Sequence, residues 1–368
     1  MIRYWVSEFD VDGIRLDAAD VLDFDFMRML RRTAEEVKPD FWLMGEVIHG
    51  DYSRWVNGET LHSVTNYALH KALYSGHNDH NYFEIAHTVK YLQNMGNLDL
   101  YNFVDNHDVE RIYTKLSNKA HFTPVHILLY TLPGIPSIYY GSEFGIEGRK
   151  ERSSDDSLRP VLSLDDYETA LGDNPCTALV AALGQIRQHT PALSYGSYAE
   201  LHLTNRQFAF ARDLNDVRVV VTVNNDDNAA SMDLPAGNAV EYIGALSGQK
   251  VAVQDGRINV TVPANSGEIW VPDGDMPEYK PFKIEISVKE ETVTDEESIP
   301  ADSEAPSSAT EPVHFDPNKS PEDMSVAELQ AAILAKMAAN GPVDDQMRKT
   351  VYDNIWHDSL VNWVKSFR

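Results

Sequence analysis

Two runs decide the fold: Asp12-Gly13-Ile14-Arg15-Leu16-Asp17-Ala18-Ala19 and Phe41-Trp42-Leu43-Met44-Gly45-Glu46-Val47. Each is a short, mostly apolar stretch that reaches a carboxylate. Between them Phe26, Leu30, Thr33, Ala34 and Val37 fall on one helical face, and Lys38-Pro39 stops that helix before the second run. Strand, helix, strand in this order is one β/α unit, and repetition of the unit makes the strands parallel. Working outward, the alternation continues to about residue 190, with further candidate strands at Ser63 to Tyr67, Leu98 to Val104 and Ile135 to Tyr140.

Three carboxylates stand where these strands end: Asp17, Glu46 and Asp108, the last just beyond Asn102-Phe103-Val104-Asp105-Asn106-His107. The carboxyl ends of the strands are where a β/α barrel gathers its working side chains. Asp17 and Glu46 are 29 residues apart, one unit, and Glu46 and Asp108 are 62 apart, room for two. A shared rim is the natural outcome. Arg15 lies two positions before Asp17, so both side chains leave the same strand face and the guanidinium is placed to hold the carboxylate ionised. Glu46 closes an apolar strand, a setting that suits a carboxyl group to proton donation. One ionised and one protonated carboxyl group is the pair that retaining glycoside hydrolysis needs, and a third carboxylate nearby opposes the positive charge of its transition state.

From Leu201 to Pro272 the hydrophobic period changes to two, which predicts a small antiparallel β domain. Residues 207–212 and 217–223 read as a hairpin across Leu214-Asn215-Asp216, and residues 258–262 and 268–271 read as another. Between Glu290 and Asp316 stand nine acidic residues and no Lys or Arg, with Pro300, Pro306 and Pro312, the composition of a disordered spacer. Ser325-Val326-Ala327-Glu328 matches a capping box, and Val326, Leu329, Ile333 and Met337 make a helical stripe; a second helical stretch carries Met347, Val351, Ile355, Trp363 and Phe367. The expected parts are a catalytic β/α domain over 1–195, a β domain over 196–275, an acidic linker over 276–320 and a helical hairpin over 321–368.

The 368 residues carry 31 Lys and Arg against 57 Asp and Glu, a net charge of −26. Such a surface repels phosphate backbones and anionic lipid, so neither nucleic acid nor membrane is an expected partner. Cys176 is the single cysteine, which excludes an intrachain disulfide and multi-cysteine zinc sites and points to a reducing, cytoplasmic setting. His77 and His80, in His77-Asn78-Asp79-His80, read as a polar loop rather than a metal pair, and no metal or cofactor is expected.

In order and spacing, Asp12 to Ala19, Gly45-Glu46-Val47 and Phe103-Val104-Asp105-Asn106-His107-Asp108 resemble three signature segments of the α-amylase superfamily of retaining α-glucan-active enzymes. The resemblance extends through residues 133–143, which look like that family's last barrel strand, and into the β domain, covering roughly residues 1 to 275. It implies Asp17 as nucleophile, Glu46 as general acid/base and Asp108 as transition-state stabiliser. It also implies that Arg15 orients Asp17 and that His107 donates to sugar hydroxyls. The implied substrate is an α-glucan or maltooligosaccharide.

Two departures from the family pattern shape the expectation. Asp20-Val21 stands where many amylases carry a Lys-His pair, so shorter oligosaccharides are as well suited as starch. The family places three strands and a further signature segment before the nucleophile strand, whereas 11 residues precede Asp12. The expected fold is therefore α/β: a partial (β/α)8 TIM barrel, about five of eight strands, then a small antiparallel all-β domain and a helical tail, with a calcium site losing its support. Hydrolysis and transglycosylation stay open. So do two other functions, a catalytically silent carbohydrate-binding fragment and a protein that docks a partner through its helical tail.

Overall fold

Each of the five apolar runs forms a short strand in the computed structural model, which describes residues 1–152, 154–273, 320, 324, 326–340 and 364–365. Strands β1 (Gly13–Leu16), β2 (Trp42–Gly45) and β3 (Ser63–Val64) pair side by side and parallel; β4 (Tyr101–Phe103) and β5 (Ile135–Ser137) form a second parallel pair. A parallel bridge between Thr65 and Tyr101 joins the two sets, so the five strands follow one another in sequence order. All five lie inside the expected runs. They are shorter because the residues at their ends leave the ladder to build loops.

The helices fill the crossovers. Helix α1 (Ile2–Phe9) precedes β1 and α2 (Phe24–Val37) lies between β1 and β2; α3 (Tyr67–Asn78) and α4 (Tyr82–Gln93) connect β3 to β4. Helices α5 (Ile112–Lys115) and α6 (Phe122–Thr131) connect β4 to β5, and α7 (Ala170–Asp173), α8 (Pro175–His189) and α9 (Pro191–Tyr195) follow. Asp23 starts α2 by accepting a hydrogen bond from the Phe26 amide at 2.9 Å. The packed face of α2 is centred on Met27 and Ala34, both wholly buried, and Phe26 is 41% exposed. The expected face was thus one residue out of phase at its start, because Met27 lies three residues before Leu30 and seven before Ala34 and takes the inward position.

The expected polar loop at His77 to His80 is also corrected. His77 belongs to the last turn of α3, is wholly buried, and donates from Nδ1 to the Leu73 carbonyl at 2.6 Å, with Nε2 3.3 Å from the Tyr82 hydroxyl. A helical histidine can satisfy one ring nitrogen on the carbonyl four residues back, which is what lets it enter a core. Only then does the chain turn, with His80 in the left-handed region at φ 47°.

The β domain holds β6 (Ser197–Leu203), β7 (Gln207–Leu214), β8 (Val217–Asn224), β9 (Ala230–Pro235), β10 (Glu241–Gly244), β11 (Lys250–Ala252), β12 (Arg257–Val262) and β13 (Ser266–Pro272). The order β11-β10-β13-β8-β7-β6 forms one antiparallel sheet, and β9 pairs with β12 to form a second. The β7–β8 hairpin is as expected, closing with Leu214 opposite Val217 across Asn215, whose φ is 52°. The second expected hairpin does not exist. β13 has β8 on one side and β10 on the other, so no edge is left for β12, which pairs with β9 instead. Between them Asn265, at φ 49°, helps carry the chain from one sheet to the other.

Alternation along β7 and β8 explains why both carry consecutive apolar residues, 208–211 and 219–221, with neither face of the sheet left to water. Ala209 and Val220 face the β9–β12 pair with Met232, Leu234, Ile258, Val260 and Trp270, whereas Phe208, Phe210, Val219, Val221 and Val223 join Leu128, Leu183 and Ile186 of the helices. Each wholly buried Val or Phe contributes roughly 1.5–3 kcal/mol relative to exposure. This double burial ties the β domain to the β/α part within one unit, Met1–Glu290.

Residues Glu291–Arg368 form a separate unit. In it α10 (Val326–Asn340) packs Leu329, Ala332 and Ile333 with Met324 and Val364, and Lys336 Nζ donates to the Val364 carbonyl at 3.2 Å. The expected linker apart from residue 320, and the second tail helix apart from residues 364–365, lie outside the described residues. Among the described residues no helix is long and apolar enough to cross a membrane.

Candidate active site

Asp17 and Glu46 directly follow β1 and β2. The two strands are in register with Leu16 opposite Gly45, so the next residues emerge side by side. The Glu46 amide donates to the Leu16 carbonyl at 2.9 Å, and the Ala19 amide to the Glu46 carbonyl at 2.8 Å. Gly45 makes this approach possible: a Cβ there would lie 2.5 Å from Leu61 Cδ1 and 2.7 Å from Ala19 Cβ.

Arg15 joins the two carboxylates. Its Nη1 lies 2.6 Å from Asp17 Oδ1 and its Nη2 2.9 Å from Glu46 Oε2. The expected pairing of Arg15 with Asp17 is therefore present, and the same guanidinium reaches Glu46, which was not expected. The two carboxylates sit in different surroundings, since the Asp17 side chain is 82% exposed and that of Glu46 12%.

The third carboxylate stands on the loop after β4. Asn106 shapes this loop, its Oδ1 accepting from the Asp108 amide at 2.8 Å and the Val109 amide at 3.1 Å. Asp108 Oδ2 is 3.0 Å from His107 Nε2, and Oδ1 is 2.9 Å from Arg159 Nη2. Asp105 anchors the loop from beneath, accepting from the Ile112 amide and the Ser142 hydroxyl, each at 2.7–2.8 Å; burial pushes its carboxyl up to about 6. Beside it the buried Arg111 guanidinium lies 4.1 Å from the Tyr139 ring centroid and donates to the Tyr140 and Leu158 carbonyls.

Tyr67 connects the two halves of the site. Its hydroxyl is 3.3 Å from Glu46 Oε1 and accepts from Asn106 Nδ2 at 3.2 Å. Burial, above all other causes, pushes the phenol up to about 12, so it keeps its proton. A continuous polar path thus runs from Asp17 through Arg15, Glu46, Tyr67 and Asn106 to the Asp108 loop. The structure brings the five residues expected at the site, Arg15, Asp17, Glu46, His107 and Asp108, together along this path. Tyr67, Asn106 and Arg159 were missed. The strand-end position that singles out the carboxylates also describes Tyr67, but a phenol carries no charge to mark it; Arg159, 51 positions from Asp108, has no local signal.

Among the described residues no group of three or more His, Cys, Asp or Glu is arranged to hold a metal ion. What the arrangement offers is a shielded and an open carboxylate on one guanidinium, with a third carboxylate linked to them through Tyr67.

The α-amylase catalytic domain family matches residues 1–170, and the α-amylase C-terminal domain family matches residues 196–270. A cyclomaltodextrinase of Thermoanaerobacter pseudethanolicus is 30% identical over 230 residues, 61% of this chain and 39% of that protein. Neopullulanase 2 of Thermoactinomyces vulgaris is 27% identical over 278 residues, 73% of this chain and 46% of that protein. The chain therefore spans less than half the length of these relatives. The crystal structure of an Anoxybacillus α-amylase shares the fold, with a TM-score of 0.65 at 23% identity over 76% of this chain and 62% of that one.

Proposed function

The chain belongs to the α-amylase superfamily, and from that premise and the site geometry we propose that it is an α-glucan-active glycoside hydrolase working by retaining double displacement. The observation that carries the reading is Arg15, which holds Asp17 and Glu46 on its two terminal nitrogens at 2.6 and 2.9 Å. Two carboxyl groups that share one guanidinium suit the separation of about 5 Å found in retaining enzymes, where no water has to fit between the acid and the attacked carbon.

In this reading the Asp17 carboxylate attacks the anomeric carbon and forms a bond to it. Glu46 meanwhile gives its proton to the glycosidic oxygen, and the bond from that oxygen to the anomeric carbon breaks. Water, losing a proton to Glu46, then displaces Asp17, and the second inversion restores the starting configuration. Asp108 opposes the oxocarbenium charge. His107 donates to sugar hydroxyls, and Arg15 keeps the nucleophile oriented. Residues 1–195, as five strands of a (β/α)8 barrel, carry this chemistry, and 196–275 buttress them. Cyclic maltodextrins are the substrate that a relative's name supports, maltooligosaccharides are what the resemblance to the family implies, and the single Cys176 supports a reducing compartment.

The test is to incubate the folded chain with maltotriose and with a cyclic maltodextrin and to follow the first product by proton NMR. The expected product is the α-anomer, and it should vanish in Asp17→Asn and Glu46→Gln. One observation favours a second reading, an open glucan-binding face without turnover: the 82% exposure of Asp17, since charged groups act most strongly where water is excluded. That reading requires affinity for maltooligosaccharide that both substitutions leave unchanged.

A further inference from the structure

Resting on the hydrolase reading above, we propose that Tyr67 is a positioning residue for the proton donor, its hydroxyl fixing the Glu46 carboxyl group and tying it to the loop that bears Asp108. Three consecutive residues bridge the two halves of the site. Thr65 Oγ1 accepts from the Val47 amide at 2.9 Å and donates to the Val47 carbonyl at 3.0 Å, holding the residue next to Glu46. Asn66 caps α3 by accepting from the Leu69 amide at 3.1 Å, and donates from Nδ2 to Asn102 Oδ1 of β4 at 2.8 Å. Tyr67 is held between these two attachments. Its ring meets Phe103 edge-on with centroids 4.9 Å apart, and His70 edge-on at 6.2 Å.

The direction of its hydrogen bonds follows from chemistry. Asn106 Oδ1 accepts from two backbone amides, which fixes the other end of the amide as Nδ2, a group that only donates. Nδ2 therefore fills a lone pair of the Tyr67 oxygen, and the phenolic proton is left for Glu46 Oε1. The other carboxyl oxygen, Oε2, takes Arg15 Nη2 at 2.9 Å and the Ala18 amide at 3.4 Å. With each oxygen held by a different element the plane of the carboxyl group is set, and Oε1 keeps one lone pair for the proton that goes to the leaving oxygen. Tyr67 is also the side chain through which a shift of the Asp108 loop reaches the acid.

Tyr67→Phe removes one oxygen and keeps the ring. The full chain and this variant would be assayed on maltotriose, whose leaving sugar needs a proton, and on α-maltosyl fluoride, whose fluoride leaves with little help. The expected result is about a tenfold loss of kcat on maltotriose, less than about a twofold loss on the fluoride, and an unchanged KM. Equal losses on both substrates would mean a purely structural role and overturn the inference. Glu46→Gln, run alongside, separates this failure from failure of the hydrolase reading. If it shows the leaving-group dependence and Tyr67→Phe does not, the inference alone falls; if it turns over maltotriose normally, or the folded unaltered chain turns over neither substrate, both fall.

Discussion

Arg159 Nη2 lies 2.9 Å from Asp108 Oδ1, although 51 positions separate them, and Nε of the same guanidinium donates to the His107 carbonyl at 3.1 Å. One side chain from the loop after β5 therefore sets both members of the pair after β4. The Arg159 and Asp108 side chains are 47% and 37% exposed, so the ion pair contributes less than about 1 kcal/mol to stability. Its consequence is orientation. Arg159→Met is expected to move the melting temperature by no more than about 3 °C and to lower kcat/KM on maltotriose about tenfold or more. Parallel calorimetry and kinetics check this, and a large melting shift with unchanged kinetics would contradict it.

Arg15→Lys keeps the charge and loses the fork. An ammonium is a point charge, and it cannot hold Asp17 and Glu46 with the fixed spacing of Nη1 and Nη2. The expected outcome is at least about a tenfold fall in kcat with little change in stability. Wild-type turnover in this variant would show that only the charge matters.

Gly45→Ala brings a methyl group to 2.5 Å from Leu61 Cδ1 and 2.7 Å from Ala19 Cβ, directly before Glu46. Overpacking of this kind costs about 1–3 kcal/mol, or several degrees in melting temperature. Because Ala19 also bonds the Glu46 carbonyl, relief of the clash displaces the acid. A variant that is less stable and also less active is expected. Lost stability at full kcat would show that the strand end relaxes elsewhere.

Three buried histidines make stability depend on pH. Burial, first among the causes, lowers His77 to about 3 and His70 and His126 to about 4, from an ordinary value of 6.5. As the pH falls through 6.5 the unfolded chain takes up protons that the folded chain refuses, so stability falls with pH until the folded values are reached; a unit or more above 6.5 these groups contribute almost no slope. One unit into that window costs up to about 1.4 kcal/mol per histidine, about 4 kcal/mol together. Urea midpoints at pH 8.5, 7.5 and 5.5 should be nearly equal for the first two and lower for the third. A constant midpoint down to pH 5.5 contradicts the burial of these rings.

The strands at Gly13, Trp42, Ser63, Tyr101 and Ile135 were legible because each is a short β-branched or apolar run between polar stretches, and Asp17, Glu46 and Asp108 stood out because a strand end is a defined place in such a fold. The β12–β13 pairing was misread for a reason that lies outside any local window. Adjacent strands with a turn between them suggest a hairpin, but which neighbour a strand takes depends on whether its edges are already filled, and those of β13 were filled by β8 and β10. His77 was misread because polarity suggested a loop, while a carbonyl one turn back made burial affordable. Tyr67 and Arg159 meet the site through contacts between segments far apart in sequence, which spacing along the chain does not record.

The bonds of Thr65, Asn66 and Tyr67 mean that the two sheets are coupled through three adjacent positions. Substitutions around Glu46 and substitutions around Asn106, although they lie on different strands, will therefore be epistatic. Their double-mutant cycles should close with coupling energies of about 0.5–3 kcal/mol rather than zero. Variants of this site are then best sampled as linked sets that include residues 65–67, since changes that fail singly in one half can be restored by a compensating change in the other.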